Sequence, residues 1–171
     1  DVYTSQDVYA LEMQHLFANV WVFVGHESQT PKHGDYFTTQ IGSQPVIQVR
    51  HSDGGIKVLH NRCPHKGTKI AIDRHGNTGT FFRCPYHAWS FETDGRLKAV
   101  PLESGYSDTS FETTENANGI KPVGAVHNHR GFVFARLADS GISFDDFFGD
   151  SLSSIDNMVD RSPEGRLEVA G

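Results

Sequence analysis

From Gly34 onward the chain alternates short runs rich in Val, Ile, Phe and Thr with turns of Gly, Asn and Asp, the pattern of an antiparallel β domain. Strands are expected at 36–41, 46–50, 56–60, 80–83, 89–92, 97–100, 120–127 and 132–136. Turns are expected at 52–55, 93–96 and 128–131, each with a Gly that tolerates positive φ. The segment before this domain has a different period. Ser5 is placed to cap a short helix carrying Val8, Leu11 and Leu16, which runs into the aromatic stretch Phe17, Trp21 and Phe23. Residues 102–118 are polar and read as a long surface loop. Past Leu137 the helical period returns. Ser143 is a cap candidate for one turn, and Asp150 for a helix with Leu152, Ile155, Met158 and Val159 on one stripe, ended by Pro163 and Gly165. The expected fold is mainly β, an antiparallel barrel or sandwich over 34–137, with short helical segments at 1–33 and 138–171.

Composition narrows the class. With 37% hydrophobic and 21% charged residues, the chain can bury a core and is not a disordered tail. The longest apolar run, 20–24, is far too short to cross a bilayer, and no leader with a cleavage site precedes it, so a cytoplasmic address is expected. A formal charge of −6 argues against nucleic-acid binding, which needs a basic stripe to displace counterions, and against membrane-surface binding. The first residue is Asp1 and the last run, 167–171, reads as a strand beginning, so a piece of a longer polypeptide is expected.

The two cysteines, Cys63 and Cys84, could form one disulfide, but a chain of this size needs no such staple. Their neighbours suggest other chemistry. Cys63-Pro64-His65-Lys66-Gly67 and Cys84-Pro85-Tyr86-His87-Ala88-Trp89 each present a thiol and an imidazole within one turn of chain, just after an expected strand. Proline stiffens each loop and donates no N–H, leaving the next amides able to turn toward the sulfur. Two Cys and two His could hold a zinc ion tetrahedrally, although zinc modules usually pair like ligands at short spacing. Mixed arms, Cys-x-His and Cys-x-x-His, also suit a two-iron cluster, with each arm giving its sulfur to one iron and its imidazole to the other.

These two segments resemble the Rieske signature, and the stretch 61–101 resembles the α subunit of aromatic-ring-hydroxylating dioxygenases. The likeness extends through Trp21-Val22-Phe23-Val24-Gly25-His26-Glu27, Gly34-Asp35-Tyr36, Gln44-Pro45-Val46 and Arg161-Ser162-Pro163-Glu164-Gly165. Three positions depart from the family pattern: Lys66 stands where Arg is common, Ala88 where Gly is common, and the spacer between the arms is about one residue longer. The resemblance implies a Rieske-type fold with two cluster-binding hairpin loops and a [2Fe–2S] cluster on Cys63, His65, Cys84 and His87. It also implies an electron exit at His87 or, second, His65, with Arg62, Lys66 and Trp89 as neighbours of the ligands.

For the parent protein the resemblance implies a ferredoxin or reductase as donor, an NAD(P)H-dependent system, a trimer of α subunits and a possible β subunit. It further implies a mononuclear Fe(II) held by two histidines and a carboxylate in a catalytic domain downstream of 138–171. No such triad is legible here: His15, His26, His33, His51, His60, His75, His127 and His129 are scattered over turns and strand ends. The segment by itself is therefore expected to carry electrons and to oxidise no substrate. A stand-alone Rieske ferredoxin is the rival reading. Two imidazoles in place of thiolates make the core less negative and easier to reduce. Respiratory Rieske proteins place Ser and Tyr hydroxyls just after the second arm; Trp89 and Phe91 stand there instead, so a potential at the low end of the Rieske range is expected.

Overall fold

The computed structural model describes residues 2–113 and 118–170. Its chain forms two compact units, one of residues 29–39 and 44–122, the other of 1–28, 40–43 and 123–171.

In the unit that contains both cysteines, two open sheets are built from short strands. The first has the order β4-β3-β2-β5, with β2 at Asp35–Ile41, β3 at Gln44–Arg50, β4 at Ile56–His60 and β5 at His75–Asn77. The second has the order β6-β7-β8, from Phe81–Arg83, Ser90–Glu92 and Leu97–Ala99. Side chains alternate across a strand. Ile47, Val49 and Leu59 of the first sheet thus share one core with Phe82, Phe91 and Leu97 of the second, together with Ile70, Val100 and Ile120. This is a sandwich-like arrangement and not a closed barrel. The turn at 52–55 is held by Asp53, whose carboxylate accepts from the Gly55 amide at 2.7 Å. Strand β5 was not legible: His75-Gly76-Asn77 has no alternation, and it is a strand only because Asp35 to Phe37 pair with it.

The other unit is a three-stranded antiparallel sheet, β1-β10-β9, from Val22–His26, Phe132–Arg136 and Ala125–His129. The final hairpin, expected within 34–137, therefore groups with the N-terminal strand, because Val22 pairs with Ala135 and His26 with Phe132. Trp21 organises its core. The indole packs edge-on against Phe144 at 5.4 Å, donates from Nε1 to the Ile142 carbonyl at 3.0 Å, and lies under the Arg136 guanidinium at 5.1 Å.

Helix α1, Gln6–Leu11, is capped as expected by Ser5, whose hydroxyl accepts from the Val8 amide at 3.4 Å. The expected face is not the one that packs. A π turn at Glu12–Leu16 inserts an extra residue per turn, so Val8, Met13 and Phe17 turn inward while Leu11 and Leu16 are exposed. Met13 and Phe17 lie against Gly42, where a Cβ would stand 3.0 Å from the Phe17 Cβ. Ser143 caps α2, Phe144–Phe148, by accepting from the Asp146 amide at 3.1 Å. Asp150 does not cap the last helix: a 3-10 turn at Gly149–Ser151 comes first, Ser151 is the boundary residue, and α3 spans Leu152–Asp160. Of the expected stripe Val159 is buried, Leu152 and Ile155 are half-buried, and Met158 is exposed. Part of the polar 102–118 loop forms a 3-10 turn at Glu103–Tyr106, and 114–117 lie outside the described residues. Among the described residues no helix is long and apolar enough to cross a membrane.

Trp21→Ala should remove the centre of its unit's core together with a half-buried hydrogen bond, and should lower unfolding free energy by about 3–5 kcal/mol. The check is the urea midpoint with the denaturation slope held constant.

Candidate metal centre

Each arm is placed by its own strand geometry. The first leaves β4 and returns the chain to β5, at the opposite edge of the same sheet, so it is a crossing loop and not a hairpin. The second is a true hairpin: β6 and β7 pair with Arg83 opposite Ser90, and the Cys84 amide donates to the Trp89 carbonyl at 2.8 Å.

The two loops nonetheless fold alike. In the first, the Gly67 amide donates to the Cys63 carbonyl at 2.8 Å; in the second, the Ala88 amide donates to the Cys84 carbonyl at 3.0 Å. The residue four places after each cysteine is left-handed, Gly67 at φ 78° and Ala88 at φ 59°. Such a turn lifts the intervening residues off the sheet, and Cys-x-His and Cys-x-x-His both fit inside it. For Gly67 the conformation costs little, and the Arg62 side chain passes over it, 3.2 Å from where a Cβ would stand. Ala88 has no such freedom.

Asn61, which the sequence reading passed over, clamps the first arm shut. It is buried; its Oδ1 accepts from the Ile70 and Ala71 amides at 2.9 and 3.0 Å, and its Nδ2 donates to the Ala71 carbonyl at 2.7 Å. A single side chain thus closes the loop that starts at Cys63. The only signal in the sequence was an amide beside a cysteine motif.

Within this frame Cys63 and Cys84 are both buried, unbridged and in side-chain contact. Burial pushes the Cys63 thiol up to about 11, the adjacent Cys84 adds to this, and the His65 and Lys66 amides that donate to its sulfur work the other way. His65 and His87 approach to 4.6 Å between ring centroids. Trp89, buried, stacks on His65 at 4.7 Å with the rings 3° from parallel, and Tyr86 stacks on His87 at 3.7 Å. His65 Nδ1 is buried with no hydrogen-bond partner, which leaves its lone pair available to coordinate a metal. Burial, His87 and Lys66 lower the His65 pKa, which favours the neutral imidazole a metal needs.

Among the described residues no three His, Cys, Asp or Glu side chains converge on one point, as a lone tetrahedral ion would require. The donors are paired two and two, sulfur against sulfur and ring against ring. Cys63, His65, Cys84 and His87 could therefore hold a two-metal group in which each arm contributes one donor of each kind. Of the three expected neighbours, Trp89 packs on a ring, Lys66 offers its amide to a sulfur, and Arg62 covers Gly67. Other histidines have local roles, such as His129 with Asp156 at 2.8 Å and His51 with Thr93 at 2.6 Å.

Asn61→Ala should cost about 3 kcal/mol, since three hydrogen bonds go and two amides and a carbonyl are left buried. Urea unfolding of the metal-loaded protein checks the loss. Ala88→Gly should act in the opposite sense, raising stability by about 0.5–1 kcal/mol through relief of left-handed strain.

Residues 20–114 match the Rieske [2Fe–2S] domain family. The chain is 38% identical over 171 residues to the toluate 1,2-dioxygenase subunit alpha of Pseudomonas putida, covering 99% of this chain and 37% of that protein. It is 38% identical over 170 residues to the anthranilate 1,2-dioxygenase large subunit of Acinetobacter baylyi, covering 99% and 35%. Among solved structures, naphthalene 1,2-dioxygenase from Rhodococcus sp. bound to indole superposes with a TM-score of 0.89 at 31% identity, over 99% of this chain and 38% of that one. The chain thus spans little more than a third of the length of these relatives. Relatives matched over nearly its whole length include the α or large subunits of 1,2-dioxygenases, and the chain belongs to the Rieske [2Fe–2S] domain family.

Proposed function

We propose that this chain is the electron-transfer domain of a ring-hydroxylating dioxygenase α subunit. It would pass single electrons from a ferredoxin or reductase of an NAD(P)H-dependent system to a mononuclear non-haem iron that activates O2 for dihydroxylation of an aromatic substrate. The observation that carries the reading is the pairing of donors, two buried thiols in contact beside two imidazoles in contact, one with an orphaned buried nitrogen. All four side chains, Cys63, His65, Cys84 and His87, lie within the segment that matches the family, and their pairing supports the reading of them as the ligands.

A bound Rieske cluster supplies one-electron chemistry at a higher potential than an all-thiolate cluster, because neutral imidazoles replace two thiolates on one iron. The chain's own residues set the conditions. At neutral pH the metal-free fold keeps Cys63 protonated, so loading displaces that proton, and the His65 and Lys66 amides then stabilise the anionic sulfur. Trp89 fixes the plane of His65 and closes that side to water. His87 is exposed, covered on one face by Tyr86, and is the better placed of the two rings to hand an electron outward, with His65 second. The mononuclear iron, the trimer of α subunits and any β subunit belong to parts of the parent protein beyond this segment. A cytoplasmic setting, where thiols stay reduced, is consistent with both cysteines being unbridged.

The purified chain, reconstituted with iron and sulfide, should be red-brown, hold about two irons and two labile sulfides, and give a rhombic paramagnetic signal once reduced. Cys84→Ser should abolish both colour and signal. A colourless protein with one zinc per chain would sink the reading.

A further inference from the structure

Residues 102–118 have the composition of a polar surface loop, yet the two aromatic residues among them turn inward. Tyr106 and Phe111 are half-buried against the core that holds both cysteines. The loop that carries them is stitched by its own hydrogen bonds. Thr109 donates from its hydroxyl to the Tyr106 carbonyl at 2.8 Å and accepts from the Phe111 amide at 3.2 Å, and the Thr113 hydroxyl donates to Glu103 at 2.6 Å. What this loop presents to the core is therefore a pair of rings.

Those rings continue a file that ends on a predicted ligand. Tyr106 lies 4.7 Å from Phe111, Phe111 meets Trp89 at 5.3 Å with its ring inclined by 60°, and Trp89 stacks on His65 at 4.7 Å with 3° between the planes. A ring stack has no directional bond to hold its angle, so the angle depends on what packs against the rest of the indole. Besides His65, the aromatic contacts of Trp89 are Phe111 and, farther off at 6.5 Å, Phe91. The second arm is built differently. His87 has Tyr86 beside it at 3.7 Å, and Tyr86 is itself 63% exposed. One imidazole thus sits behind a file of rings and the other stands near water.

We infer that Phe111 is a positioning residue for His65: acting through Trp89 it fixes the plane of the imidazole and, with Tyr106, keeps water from the His65 side of the cluster, which holds the reduction potential down. The inference rests on the proposed electron-transfer role. The reduced state carries one more negative charge than the oxidised one, and a water-poor flank of rings solvates that charge poorly. Admitting water on this side therefore raises the potential and opens the irons to competing ligands.

The test uses the full parent oxygenase, assembled and cluster-loaded. Phe111→Ala should raise the potential in a spectroelectrochemical titration, shift the g values of the rhombic signal and speed bleaching by an iron chelator about tenfold. Phe111→Tyr keeps the ring and should restore all three readings. Thr109→Ala removes the two hydrogen bonds that tie Phe111 to Tyr106 but leaves every ring in place, so it should move the same readings in the same direction by less. Where Phe111→Ala fails to load, Thr109→Ala decides by the same criteria. A loss of stability alone lowers the urea midpoint and leaves the potential where it was. An unchanged or lowered potential with an unchanged bleaching rate, or a Phe111→Tyr protein that behaves like Phe111→Ala, would overturn the positioning role and leave the Rieske role intact. A missing rhombic signal in the unmodified protein would overturn both.

Discussion

Two thiols buried side by side set the terms for everything around them. Cys63 and Cys84 sit in the core shared by the two sheets of their unit, among Phe82, Phe91, Leu97 and Ile70. A low-dielectric site resists the thiolate form, which is why the Cys63 thiol is pushed up to about 11 in the absence of metal. The amides that donate to the Cys63 sulfur are the counterweight, and they can point there only because the loop is wound into a tight turn after a proline. The left-handed residues, the Asn61 clamp and the Trp89 stack all serve to hold that turn against the pull of ordinary strand geometry.

The arms look unequal in sequence and are equal in conformation. Each closes from the cysteine carbonyl to the amide four residues on, and each has its left-handed residue at that point. What the extra residue in the second arm changes is exposure. His65 is partly enclosed between Trp89 and His87, whereas His87 stands out on the surface beside Tyr86. His65 is the enclosed ring and His87 the exposed one, so the two arms differ in access although they match in conformation.

Much of the fold was readable because its signals are local. The 56–60 and 132–136 strands fall where alternation places them, Ser5 and Ser143 cap the helices expected of them, and both thiol–imidazole pairs were evident from spacing. Misplaced features had non-local or competing causes. The half-buried positions of the first helical segment shifted because a π turn altered its period, and the last helix starts after Asp150 because a 3-10 turn uses that residue first.

The sequence by itself determined the two thiol–imidazole segments, the β character and the Ser5 and Ser143 caps, since residue spacing, hydrophobic period and capping residues are properties of a few adjacent positions. Only tertiary structure decided that β1 pairs with β10 more than a hundred residues away, that His75 to Asn77 form a strand, and that Asn61 closes an arm. It alone brought Lys121 beside Arg62 and Lys66 in one cleft. The physical reason is shared by all four: each depends on which distant backbone or side chain satisfies a hydrogen bond or crowds a charge, and such partners are chosen by the packing of whole sheets.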